Sequence, residues 1–138
     1  MGSCAFCDIV RDQALAAIVC EDGQHMAIMN SHPTSVGHTL VITKKHYSDI
    51  FEMGVEDVSK LFVFVSKAAR AVKRAIDAEG ISIVQNNGPA TGQKIPHVHV
   101  HIIPSTMDEP FVVNWQKIDV SEEELAGVAA RIKEALAS

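Results

Sequence analysis

Pro96-His97-Val98-His99-Val100-His101-Ile102-Ile103-Pro104 is the stretch on which the fold and chemistry of this 138-residue chain turn. Imidazoles alternate with aliphatic side chains at period two. A β-strand sends successive side chains to opposite faces. His97, His99 and His101 would therefore share one face over roughly 13 Å, at about 3.3 Å per residue. Val98, Val100 and Ile102 would enter a core behind them. Imidazole is the one side chain whose ordinary pKa lies near neutrality. Three in a row suit a metal site, nucleophilic attack on phosphorus with help from the neighbouring rings, or plain anion binding. No Asp or Glu lies between Glu79 and Asp108, so a carboxylate ligand to such a metal would have to come from elsewhere in the fold.

The segment feeding this strand is Asn86-Asn87-Gly88-Pro89-Ala90-Thr91-Gly92-Gln93. Gly88 and Gly92 permit close backbone approach to a ligand, and Asn86, Asn87, Thr91 and Gln93 offer neutral donors, which suits a phosphate. Ile81 to Gln85 reads as the strand before it. Further upstream, Val58, Leu61, Phe62, Val65, Ala69, Val72 and Ile76 follow helical spacing. They predict an amphipathic helix of about 24 residues, stopped by Gly80. Ala17 to Cys20 and Met26 to Met29 flank Glu21-Asp22-Gly23-Gln24 and predict a hairpin with a Gly turn. His38 to Thr43 is a β-branched strand. Ser121 followed by Glu124 forms a capping box for a last helix whose buried face would carry Leu125, Val128, Ile132 and Leu136. Short connections between consecutive strands imply an antiparallel sheet of about five strands, with the long helix on one face and a C-terminal helix. The class is α+β. No repeat or linker divides residues 1–138, so one domain is expected.

Hydrophobic residues make up 47% of the chain and charged residues 21%, an ordinary globular balance. A net charge of -5 argues against nucleic-acid or membrane partners held by a broad basic face. No apolar run approaches a membrane span, and the N-terminal residues show no basic-then-apolar signal pattern. Three cysteines, two of them in Cys4-Ala5-Phe6-Cys7, suit a reducing compartment, and the expected location is cytoplasmic. Cys4 and Cys7 have the spacing of half a zinc site, or are small residues on an N-terminal turn. Cys20, within an apolar run, is expected to be a buried thiol.

The joint pattern resembles the histidine triad (HIT) family of nucleotide hydrolases and transferases. His-x-His-x-His is similar to the family signature. Asn30-Ser-His-Pro-Thr-Ser-Val-Gly-His38 resembles its ribose-binding segment, Leu40-Val-Ile-Thr-Lys-Lys-His46 the strand after it, and Asn86 to Gln93 its phosphate loop. Cys4 to Val10 resembles the opening of many prokaryotic members. The likeness covers residues 4–107 in order; residues 108–138 form an extension without a motif.

The resemblance implies that His99 attacks the α-phosphorus of a nucleotide, giving a nucleotidyl-histidine intermediate that water hydrolyses. His101 would bond the α-phosphate and assist the leaving group, and His97 completes the triad, its backbone orienting the His99 ring. Asn30 would hold the ribose, while Asn86, Gly92 and Gln93 would hold the phosphates. The implied substrates are purine nucleoside phosphoramidates or dinucleoside polyphosphates, conjugates of AMP, with no metal needed for the chemistry. A nucleotide-binding module with little catalysis is the alternative. Family members also suggest a structural zinc on Cys4, Cys7, His46 and His97, and a homodimer with joined sheets. The Cys-x-x-Cys opening leans towards the Hint branch, whereas Gly-Pro-Ala-Thr-Gly-Gln-Lys-Ile-Pro leans towards Fhit. Lys94 stands where Hint members carry a serine beside the leaving group. Trp115 is expected to pack the C-terminal segment against the body or to reach a partner's site.

Overall fold

Residues 4–138 are described by a computed structural model. β-branched and aliphatic runs form five strands: β1 Ile18–Glu21, β2 His25–Met29, β3 Thr39–Thr43, β4 Gly80–Gln85 and β5 His99–Ser105. All pairings are antiparallel, in the order β1-β2-β3-β5-β4. Three helices complete the α+β fold: α1 Ala5–Arg11, α2 Val55–Ile76 and α3 Glu122–Ala137. No helix is long and apolar enough to cross a membrane among the described residues.

Every residue of β3 is buried, because both faces of the sheet are covered there. On one face α2 lays Leu61, Val65 and Val72 against Ala27, Val41, Val98, Val100 and Ile102. On the other, Phe6 of α1 packs on Met26, Ile28, Leu40 and Ile42. Helices thus flank both faces, where the sequence predicted one. The register then places the histidines. His99 lies opposite Ile42 and His101 opposite Leu40, so both rings emerge on the α1 face. This short helix covers only part of that face, and the remainder is open.

Several local expectations change. α2 is stopped by Asp77 in the left-handed region (φ 55°, ψ 44°), with the Ala78 N–H returning to the Lys73 carbonyl at 3.0 Å; Gly80 opens β4 instead. On the helix stripe Phe64 and Ala68 are buried, while Phe62 and Ile76 stay partly exposed. The β1–β2 hairpin turns on Asp22, not on Gly23. The Asp22 carboxylate accepts from the N–H groups of Gln24 and His25 at 2.8 and 2.7 Å, and Gly23 keeps a negative φ. Cys20 is exposed, because β1 is an edge strand. Ser121 caps α3 as expected, accepting from the Glu124 N–H at 3.1 Å. Yet every residue of α3 is exposed, Leu125, Val128, Ile132 and Leu136 included, and Trp115 is exposed as well. A capping box is a local signal; burial of a stripe needs a tertiary partner, which residues 4–107 do not supply.

Gly37 shapes the loop between β2 and β3. Its φ is +96°, and a Cβ there would lie 2.7 Å from Ile76 Cγ1. Only glycine allows the loop to press against the end of α2, which sets His38 beside β5.

Candidate active site

The triad is built on β5 and the bend before it. His97 is fully buried, His99 and His101 half-buried. His99 Nδ1 lies 2.8 Å from the backbone oxygen of His97. A carbonyl only accepts, so the proton sits on Nδ1, and Nε2 of the neutral ring keeps its lone pair. Burial lowers the His99 pKa below its ordinary value, which keeps that lone pair available near neutrality. The Phe6 ring lies against His99 and His97, with centroids 5.0 and 5.6 Å away.

His101 is fixed from the other side. The Thr34 N–H donates to His38 Nδ1 at 3.1 Å, so the neutral His38 ring carries its proton on Nε2. That N–H donates to His101 Nδ1 at 2.9 Å, leaving His101 with Nε2–H. Its pKa is lowered to about 4 by burial first, then by His99 and His38. Burial lowers His38 likewise. His101 therefore acts at neutral pH as an uncharged N–H donor. Asn30 sits at the same corner: its Oδ1 accepts from the His32 N–H at 2.9 Å, and its Nδ2 lies 3.3 Å from His38 Nε2. Sequence reasoning assigned no role to His38 or Phe6. His38 is legible in sequence as the start of a strand and the end of the ribose-binding-like segment, but not as a partner of His101, although its position opposite the His101 end of the triad follows from the sheet register.

His99 and His101 line a cavity of about 690 Å³, within the range of small-molecule sites. Its lining combines the apolar side chains of Phe6, Ile9, Leu15, Ile28 and Ile95 with Asn30, Ser31, His32, Thr34, Gly92 and Lys94. Gln93 closes the preceding loop instead: its Oε1 accepts from the Gly88 N–H at 2.7 Å, and its Nε2 donates to the Ser48 carbonyl at 3.0 Å. Asn87 Oδ1 accepts from the Ile50 N–H at 2.9 Å, anchoring the same loop. Asn86 is half-buried at the end of β4. Gly92 takes a φ of +90° on the cavity wall.

A second cluster lies at the opposite end of the triad. His97 Nε2 donates to the Thr43 carbonyl at 2.7 Å, so its Nδ1 lone pair points at Cys4 Sγ (3.2 Å), His46 Nδ1 (3.1 Å) and Cys7 Sγ (3.6 Å). Cys7 Sγ is 3.3 Å from His46 Nδ1. All four donor atoms lie within 4.8 Å of one another. Tetrahedral zinc with its usual bond lengths places its ligands about 3.3–3.8 Å apart. The donor set fits a metal ion: two thiols and two imidazoles converge to within one coordination sphere. Burial, then Cys4, pushes the Cys7 thiol up, the opposite of what a bound cation would do.

A profile of the HIT domain matches residues 11–108. The chain belongs to the HIT family. It is 34% identical to the adenosine 5'-monophosphoramidase hnt1 of Schizosaccharomyces pombe over 131 residues, 94% of this chain and 96% of that one. The adenylylsulfatase HINT3 of Arabidopsis thaliana is 35% identical over 101 residues, covering 73% of this chain and 51% of that protein. A crystal structure of a HIT family member from Bacillus subtilis superposes with a TM-score of 0.90 at 33% identity, covering 99% of both chains. Family and fold therefore agree with the histidine pattern, and the chain is a HIT-family nucleotide hydrolase in this general sense.

Proposed function

We propose that this HIT protein hydrolyses conjugates of purine nucleoside monophosphates, phosphoramidates or dinucleoside polyphosphates, at the α-phosphorus. The observation that carries the reading is the pair of opposite tautomers: a bare Nε2 on His99 beside an Nε2–H on His101. His99 Nε2 attacks phosphorus as the bond to the leaving group breaks, giving a nucleotidyl-histidine. Water then cleaves the N–P bond, releases the nucleoside monophosphate and regenerates His99. The His101 N–H bonds a phosphate oxygen, an oxyanion-type role for an uncharged donor. The His97 carbonyl holds the His99 ring. Asn30 takes the ribose, while Asn86, Gly92 and Gln93 shape the phosphate loop. The names of hnt1 and HINT3 support this class of substrate, an AMP conjugate in both.

The metal site is read as structural zinc on Cys4, Cys7, His46 and His97. Zinc would tie α1 to the segment carrying His97 and would take no part in the reaction. Homodimerisation through the β4 edge is supported by the exposed Phe62 and Ile83 on adjoining elements. A cytoplasmic setting suits three free cysteines.

The test is turnover of adenosine 5'-phosphoramidate and diadenosine tetraphosphate by wild type and His99→Ala. Cleavage of either by wild type, with a loss of roughly a thousandfold or more in the variant, supports the reading. Tight AMP binding without turnover by either protein selects a nucleotide-binding module instead.

A further inference from the structure

Lys94 is the only Lys, Arg, Asp or Glu among the residues lining the histidine cavity. It has no ion-pair partner among the described residues. Its side chain is exposed at the cavity mouth, which is the ordinary resting place of a surface lysine. The direction of the reaction gives that position a consequence.

Asn30 follows β2, the histidines stand on β5, and Lys94 ends the loop that arrives from β4. In the sheet order, β5 lies between β3 and β4. Asn30 and the 86–95 loop therefore approach His99 from opposite sides. A nucleoside anchored beside Asn30 leaves the Lys94 side to the other half of the substrate. In-line attack by His99 also sends the leaving group away from the strand, outward to the mouth. A four-carbon ammonium stem can follow it there.

We propose that Lys94 selects the leaving group, favouring substrates in which the nucleotidyl phosphorus is joined to an oxyanion group, phosphate or sulfate, over those in which it is joined to an amine. The inference rests on the hydrolase reading above and goes beyond it by naming the leaving-group class and the residue that reads it. With an anhydride, the P–O bonding pair departs with oxygen, the product is a stable anion, and no proton is needed. The Lys94 ammonium offsets the extra negative charge. With a phosphoramidate, the departing nitrogen must gain a proton as the P–N bond breaks. His101 is neutral, and its Nε2–H, already bonded to a phosphate oxygen, is a far weaker acid than an imidazolium; a fixed cation at the mouth also opposes a protonated amine.

The experiment measures kcat/KM for adenosine 5'-phosphosulfate and for adenosine 5'-phosphoramidate with wild type, Lys94→Ala, Lys94→Arg and Lys94→Glu. The ratio of the two constants is read, because it is independent of how much of each sample is folded. Lys94→Ala should lower the phosphosulfate-to-phosphoramidate ratio by roughly tenfold at low salt, the scale of one charge at a partly solvated contact. Lys94→Arg should hold the ratio within about twofold, and Lys94→Glu should depress it further than Ala. If wild type cleaves both substrates and the ratio is the same in all four proteins, the assignment of Lys94 is overturned while the hydrolase reading stands. Cleavage of the phosphoramidate alone overturns it in the same way. If wild type cleaves neither of these nor diadenosine tetraphosphate, the hydrolase reading fails and this inference falls with it; cleavage of the tetraphosphate alone keeps the hydrolase reading, and the tetraphosphate is then read across the four proteins in place of the phosphosulfate.

Discussion

His97 and His101 flank His99 at equal spacing on one side of the same segment, and both carry the proton on Nε2. They nevertheless face different chemistries. In His97 the N–H is turned inward to the Thr43 carbonyl, and the bare Nδ1 is left among two sulfurs and the His46 ring. In His101 the bare Nδ1 is capped by His38, and the N–H is left for the cavity. His99, between them, has the other tautomer because its Nδ1 donates to a carbonyl. The alternation puts three rings on one side; the partner on each ring's inner nitrogen decides what it presents, a bare Nδ1 among the sulfurs, a bare Nε2, or an Nε2–H at the cavity.

The largest effect should come from breaking the centre. His99→Ala removes the only bare nitrogen facing the cavity among the three, and single-turnover assays should show a loss of at least roughly a thousandfold. Breaking the His97 end should instead cost stability. Cys7→Ala removes one of four donors. Metal analysis should find wild type loaded and the variant largely empty. Denaturant unfolding should show a loss on the order of several kcal/mol, because metal binding contributes to folding free energy. If Cys7→Ala keeps its metal and its stability, the four residues do not form the site.

Acid separates the two ends further. His101 titrates at about 4 in the fold against 6.5 as a free side chain, through burial and the facing His99 and His38 rings. Below pH 6.5 the unfolded chain binds the proton more readily than the native one. The stability that His101 contributes is therefore complete above about pH 6.5, falls as pH drops through that window, and is gone below about 4. Because the ring is only half-buried and solvent screens it, the loss is about 1–2 kcal/mol, less than the full shift would give. Urea unfolding at pH 7 and pH 4.5 should show a shallower pH dependence in His101→Asn than in wild type. Equal slopes would mean that His101 is solvated in solution.

What could be read from the sequence follows the same division. Period two placed Val98, Val100 and Ile102 in the α2 core and left the rings opposite them, because that rule depends only on backbone geometry. The Ser121 cap was legible for the same reason. The hidden features are tertiary. Phe6 against His99, His38 against His101 and the uncovered stripe of α3 each depend on which elements meet. Asp77 is a left-handed terminator that composition ranks below Gly80. Cys20 lay in an apolar run whose strand proved to be an edge.

His38 gives the smallest expected effect and the sharpest test of the comparison. It is a positioning residue: it reaches the cavity chemistry through His101 Nδ1 and is itself anchored by the Thr34 N–H. Without its N–H, nothing holds the His101 proton on Nε2, and the ring can turn its bare nitrogen towards a phosphate oxygen, where it repels. His38→Phe keeps the bulk and loses the donor; His38→Gln restores an N–H near the Nε2 position. The expected outcome is a fall in kcat of roughly tenfold in Phe, about the value of one hydrogen bond to an uncharged group, with most of it regained in Gln. A purely structural role would lower folded yield without altering the ring nitrogens. Nitrogen-15 spectra distinguish the two, since His101 should be the Nε2–H tautomer in wild type and Gln, and a mixture of both in Phe. If His38→Phe leaves that tautomer intact, the His38 contact is packing, and His101 is oriented by the strand alone.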